Sequence, residues 1–128
     1  MSQRAKFDQL FAEVDGIFNR EAQVTFDVVL GTPMQRGTWG DLLEIGVYQG
    51  KCAGLMGLYA KPQETLVLVD VVDRFSNHMK RCLPDTTLSV NIGSSSTMKF
   101  NHDVADRSSR FIHVDRDPLP DWLRVGMG

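Results

Sequence analysis

Cysteine is scarce in this sequence: Cys52 and Cys82 are too few for a disulfide framework and too far apart for a CxxC pair. Two reduced thiols are expected. No apolar run approaches the ~20 residues that a bilayer-spanning helix needs. The start, Met1-Ser2-Gln3-Arg4-Ala5-Lys6, leads into mixed polar and apolar residues instead of a signal-peptide core, so a cytoplasmic protein is expected. Basic residues are not in excess either: 14 Lys and Arg stand against 16 Asp and Glu, for a formal net charge of −2. That balance gives no electrostatic reason to expect nucleic acid or an anionic membrane as partner. What is present is ordinary: 42% hydrophobic and 23% charged residues over 128 positions. A domain typically runs to roughly 100–150 residues, so one core is expected.

From Ser2 to Arg20, Phe7, Leu10, Phe11, Val14, Ile17 and Phe18 recur at three- and four-residue intervals, the stripe of an amphipathic helix. Glu21 to Gly40 has no steady period and carries Gly31, Pro33, Gly37 and Gly40, so it reads as a loop with a short element around Val24 to Leu30. Residues 1–38 are thus expected to form a helix and a loop ahead of the informative segment, 39–115.

That segment alternates. Leu42-Leu43-Glu44-Ile45 and Thr65-Leu66-Val67-Leu68-Val69 are the apolar runs of strands buried on both faces. Between them Gly50 to Ala60 suits a helix packed closely on a sheet, ended before Pro62. A second helix is expected over about Asp73 to Leu83, a third strand over Thr87 to Ile92, a short helix capped in Ser94-Ser95-Ser96, and a fourth strand over Arg110 to Asp115. The fold class is therefore α/β: a parallel, Rossmann-like sheet of about four strands in the order 3-2-1-4, with flanking helices and an N-terminal helix.

In such a sheet the ligand lies beyond the carboxyl ends of the strands, where strand order reverses. Three of the four strand ends carry a carboxylate: Glu44, Asp70 and Asp115. Gly46 and Gly50 allow a tight turn that brings a ligand against the N-terminus of the next helix, where amides favour a carboxylate or phosphate. Asp70 follows at about the ~20-residue spacing of a ribose-binding acid. The plainer alternative makes Gly46 and Gly50 turn and packing glycines and Asp70 a helix cap. Val47 and Tyr48 stand where a dinucleotide fingerprint needs its second glycine, which disfavours NAD and FAD. Cys52 after Lys51 and the short Gly46–Gly50 spacing break a P-loop, which disfavours ATP and GTP.

Asp41-Leu42-Leu43-Glu44-Ile45-Gly46-Val47-Tyr48-Gln49-Gly50 resembles motif I of the class I S-adenosylmethionine-dependent methyltransferases. The likeness is closest to the subgroup of macrocin-type sugar O-methyltransferases and cephalosporin-hydroxylase-like proteins. It runs from about Trp39 to Asp115, with Arg110-Phe111-Ile112-His113-Val114-Asp115 similar to that subgroup's fourth strand. The resemblance implies a transferase with S-adenosyl-L-methionine as cofactor and a small-molecule O or N acceptor. It implies that Glu44, Gly46 and Gly50, with Val47 and Tyr48 in the turn, line the methionine and sulfonium, that Asp70 holds the ribose, and that Ser94 or Ser95 lies near the adenine. Asp115 then faces the acceptor as the catalytic residue or binds a divalent metal such as Mg. Adenosylmethionine has a carboxylate, a ribose diol and a sulfonium but no pyrophosphate, so one glycine turn, one acid and a negative site suffice. Tyr48 is placed either over the sulfonium by a cation–π contact or against the N-terminal helix.

Past Asp115 the pattern breaks: Arg116 stands where the family has Gly, and no His or Tyr follows. The tail 116–128 holds Pro118 and Pro120 and cannot complete such a sheet; its Trp122, Leu123, Val125 and Met127 either cap an exposed edge or promote association. Two explanations stay open. One is a natural short form that forms a homo-oligomer or binds a partner through the open sheet edge. The other is a truncated or frame-shifted reading frame: if Arg116 to Leu119 were encoded CGG-GAC-CCA-CTC, reading one base later would restore Gly-Thr-His-Ser. The alternative function is a non-catalytic nucleotide-binding or interaction module of the same fold, and an oxidoreductase with a degenerate turn is a third. His78 and His102 are expected in ordinary polar or core roles, His113 in either such a role or a metal-ligating one, and Cys52 buried without a neighbouring His in sequence.

Overall fold

The computed structural model describes residues 2–14, 16, 18–35, 37, 39–93 and 109–114, with residues 33–35 by backbone alone. Its elements run α1 (Gln3–Phe11), α2 (Arg20–Gln35), β1 (Asp41–Ile45), α3 (Lys51–Leu58), β2 (Thr65–Asp70), α4 (Ser76–Cys82), β3 (Thr87–Ile92) and β4 (Ser109–Val114). The four strands form one sheet in the order β3-β2-β1-β4, and every pairing is parallel. The α/β class and the strand order expected from the alternation are therefore those observed. Strand order reverses between β1 and β4, which makes that seam the switch point.

Two expectations for the N-terminal segment are corrected. The stripe from Phe7 to Phe18 does not lie on one helix: α1 ends at Phe11, Gly16 has φ of +148°, and the Asn19 side chain starts a new helix by accepting the Ala22 N–H at 2.8 Å. The segment read as a loop is the 16-residue α2. Its inner face is the stripe Ala22, Phe26 and Leu30, each four residues apart, whereas Val24, Val28 and Val29 are exposed on the outside. Apolar residues on both faces erased the period that marks a helix in sequence.

The core lies on the helical side of the sheet. Leu42, Leu66 and Leu68 of the strands meet Phe11 of α1, Leu30 of α2, Leu55 and Met56 of α3, and Met79 of α4, all buried. A right-handed path β1-α3-β2-α4-β3 puts both crossover helices on one face because the strands step in one direction. α1 then lies against α3 because Gly54 has no side chain: a Cβ there would come within 2.5 Å of the Phe11 ring. On the opposite face Leu43, Val67 and Val69 form a second buried cluster. Among the described residues no helix is long and apolar enough to cross a membrane.

The amino-terminal edge of the sheet is tied by charge. Arg110 of β4 grips Glu64, just before β2, with Nε to Oε2 at 2.7 Å and Nη2 to Oε1 at 3.1 Å. Glu64 also accepts the Gly40 and Lys61 N–H groups at 2.8 Å each, and Arg110 Nη2 donates to the Tyr59 carbonyl at 2.8 Å. Burial by itself raises the Glu64 carboxyl, but the guanidinium and the two amides outweigh it and hold the group below its ordinary 4.5.

Candidate functional site at the carboxyl ends of the strands

β1 passes into α3 through Gly46–Gly50. Three residues in this turn have left-handed backbone: Gly46 at φ 84°, Tyr48 at 62° and Gly50 at 92°. For Tyr48 that conformation costs roughly 1–2 kcal/mol, since its Cβ crowds the backbone. Asp70, the last residue of β2, offsets the cost. Its Oδ2 accepts the Tyr48 N–H at 2.7 Å and the Val47 N–H at 2.9 Å, and its Oδ1 accepts the Val71 N–H at 2.6 Å. Three amides thus occupy most of the about four lone-pair directions of a carboxylate. Gly50 is needed for space as well as conformation, because a Cβ there would sit 3.1 Å from Met79 Sδ and 3.3 Å from Phe75 Cβ.

α3 begins without a side-chain cap, and its ladder opens with Gly54 N–H donating to the Gly50 carbonyl at 2.7 Å. By helix geometry the amides of the turn before that bond point out of the N-terminus, toward the space beyond β1 and β2. A second acid, Asp73, is committed to starting α4. It accepts the Ser76 hydroxyl and the Ser76 and Phe75 N–H groups, and the Ser76 hydroxyl above all holds its carboxyl below the usual range.

Glu44 lies beneath the turn with its side chain fully buried, and its Oε2 is 2.7 Å from His113 Nδ1. The register makes the two direct partners across the β1–β4 seam. Phe26 of α2 covers the imidazole edge-on, with ring centroids 5.0 Å apart and planes at 76°. Cys52, 8% exposed in the first turn of α3, brings its sulfur into the same cluster, where one ligand atom from each of Glu44, Cys52 and His113 lies within 4.8 Å of the others.

The structure therefore brings Gly46, Val47, Tyr48 and Gly50 together in one turn, with Asp70 of β2 bonded to it and Glu44 under it. Ser94, Ser95, Asp115 and His102 lie outside the described residues, as does the expected short helix after Gly93. Tyr48 is 37% exposed. His78 sits at the α1–α4 seam, with Nε2 3.1 Å from the Leu10 carbonyl and its ring 5.2 Å from that of Phe11. Sequence spacing pairs Cys52 with no histidine. The signal was there in the parallel alignment: Glu44 and His113 are each the penultimate residue of adjacent strands. Compared with known proteins, the chain matches no family model and no curated sequence.

Proposed function

We propose that the Gly46–Gly50 turn, the N-terminus of α3 and Asp70 hold S-adenosylmethionine, and that the protein transfers its methyl group to an oxygen or nitrogen of a small-molecule acceptor. One observation carries the reading. The carboxylate that ends β2 is docked on the turn that ends β1, beside an uncapped helix N-terminus and next to the switch point. A ligand laid across that junction meets amides at one end and an acid at the other. That order of groups suits an amino-acid carboxylate followed by a ribose, and the glycine spacing leaves out the pyrophosphate cradle of a dinucleotide.

The chemistry asks little of the protein. Methyl transfer is a displacement on an already activated carbon, so alignment supplies most of the rate. The α3 amides fix the carboxylate end, and Asp70 accepts a ribose hydroxyl through the acceptor capacity its amide contacts leave. A base is needed only where the acceptor must lose a proton; Asp115, the residue proposed for that role, follows β4 directly in sequence.

The test is calorimetric titration of the chain with S-adenosylhomocysteine and with an analogue lacking the ribose hydroxyls. A charge-assisted hydrogen bond is worth about 1.5–3 kcal/mol, so the analogue is expected to bind roughly 10- to 100-fold more weakly. Equal affinity for the two, or no binding by the folded chain, would overturn the assignment. Methyl transfer to an acceptor then separates the enzyme from a binding module of the same fold.

A further inference from the structure

The Glu44–His113 pair differs from an ordinary buried ion pair in having a thiol beside it. Glu44 comes from β1, His113 from the facing position of β4 and Cys52 from the first turn of α3, so three separate elements converge on one point. The Glu44 side chain is 0% exposed and that of His113 27%, so with Cys52 at 8% the imidazole is the most exposed of the three groups. Leu42 and Phe26 are among the buried residues around them.

We infer that Glu44, Cys52 and His113 form a binding site for a divalent cation of the zinc class, with the fourth coordination position open toward the exposed edge of His113. The donor set selects the ion. Sulfur and imidazole nitrogen favour zinc and its softer neighbours, whereas magnesium and calcium take oxygen ligands. Charge balance agrees: one thiolate, one carboxylate and a neutral imidazole cancel a divalent cation, which removes the cost of isolated charge in a buried cluster. Geometry agrees too. Zinc bonds of about 2.0–2.3 Å in a tetrahedron put ligand atoms roughly 3.3–3.7 Å apart. The 2.7 Å Glu44–His113 contact has to open by less than an ångström, and the sulfur has to close from within the 4.8 Å limit. Rotation about the Cys52 and His113 side-chain bonds covers both. The inference does not rest on the proposed cofactor.

Cobalt(II) is the probe, because thiolate coordination gives a sulfur-to-cobalt charge-transfer band and a tetrahedral site gives intense visible bands. The metal-stripped full chain, titrated with cobalt alone, is expected to show both bands at one cobalt per chain, and zinc is expected to erase them. Cys52→Ser removes the charge-transfer band, His113→Ala weakens cobalt binding at least tenfold, and Cys82→Ser changes neither. Affinity falls as pH is lowered, since protons compete for the ligands. Circular dichroism checks the fold of each variant. A readout on the wild-type chain stands apart from the variants: zinc slows alkylation of Cys52, resolved by mass, and leaves Cys82 unaffected. A folded wild-type chain without the charge-transfer band, a band that survives Cys52→Ser or vanishes in Cys82→Ser, or unchanged Cys52 alkylation would overturn the site.

Discussion

Two glutamates are buried at opposite ends of this sheet, and each meets a basic side chain from β4. At the amino-terminal edge Glu64 meets Arg110, with side chains 0% and 3% exposed; at the carboxyl-terminal edge Glu44 meets His113, 0% and 27% exposed. The first pair is a forked guanidinium on a carboxylate whose remaining lone pairs take two backbone amides. Arginine stays charged at every working pH, so this lock has one state. The second pair uses a base that can lose its proton and bind metal, sits beside a thiol, and is partly exposed at the imidazole. The same sheet therefore holds a permanently charged pair at one end and a pair that can change its charge at the other.

Breaking the amino-terminal lock is expected to have the largest effect. Arg110→Met leaves Glu64 buried without its counter-charge and lowers unfolding free energy by about 3–5 kcal/mol, measured by urea denaturation. Adding Glu64→Leu to the same chain is expected to recover at least half of that loss. A single-variant cost within about 1 kcal/mol would make the pair an incidental contact.

Gly50→Ala comes next, at about 2 kcal/mol, because a side chain there is strained at φ 92° and crowds Met79. It also disturbs the turn, so S-adenosylhomocysteine affinity is expected to fall with stability in the same calorimetric series. His113→Ala is expected to cost less than Arg110→Met, about 1–2 kcal/mol, since the contact with Glu44 and the ring contact with Phe26 are lost but no permanently charged group is removed. Equal costs at the two ends would erase the contrast.

Acid titration sharpens it. The Glu64 carboxyl is held below its ordinary 4.5, so the native state binds its proton later than the unfolded chain does. Its stabilisation is complete above that ordinary value and is lost as pH falls through the lowered native one. Glu64→Gln is expected to flatten the fall in urea midpoint over that acid range. The smallest effect is at Tyr59, whose hydroxyl donates to Asp27 at 2.9 Å. Burial, with that bond and the Asp27 charge, pushes Tyr59 up to about 12 from 10.0. Its stabilisation is present below 10.0 and disappears as pH rises through about 12, and Tyr59→Phe, at about 1 kcal/mol, removes that alkaline loss.

Strand runs are legible by two different signals: Thr65–Asp70, placed within one residue, is the continuous apolar run of a strand buried on both faces, whereas Thr87–Ile92, placed with the observed ends, alternates polar and apolar residues up to Gly93. α2 is not, because Val24, Val28 and Val29 are exposed and mask the Ala22, Phe26 and Leu30 stripe. Of the candidate site, Gly46, Gly50 and Asp70 could be picked out, since turns and strand ends announce themselves in local spacing. The bonds from Asp70 to Val47 and Tyr48 could not, for they depend on β1 and β2 lying side by side.

Local sequence determined the alternation of strand and helix, the one-sided winding from β1 to β3 and the place of the glycine turn, because each follows from burial periodicity and backbone freedom within a few residues. Tertiary structure alone decided which charges meet. Arg110 and His113 stand three positions apart on one strand, yet β4 inserts beside β1 so that one reaches Glu64 and the other Glu44 and Cys52. Contacts between residues 46 and 69 positions apart are set by sheet order and register, which no local pattern encodes.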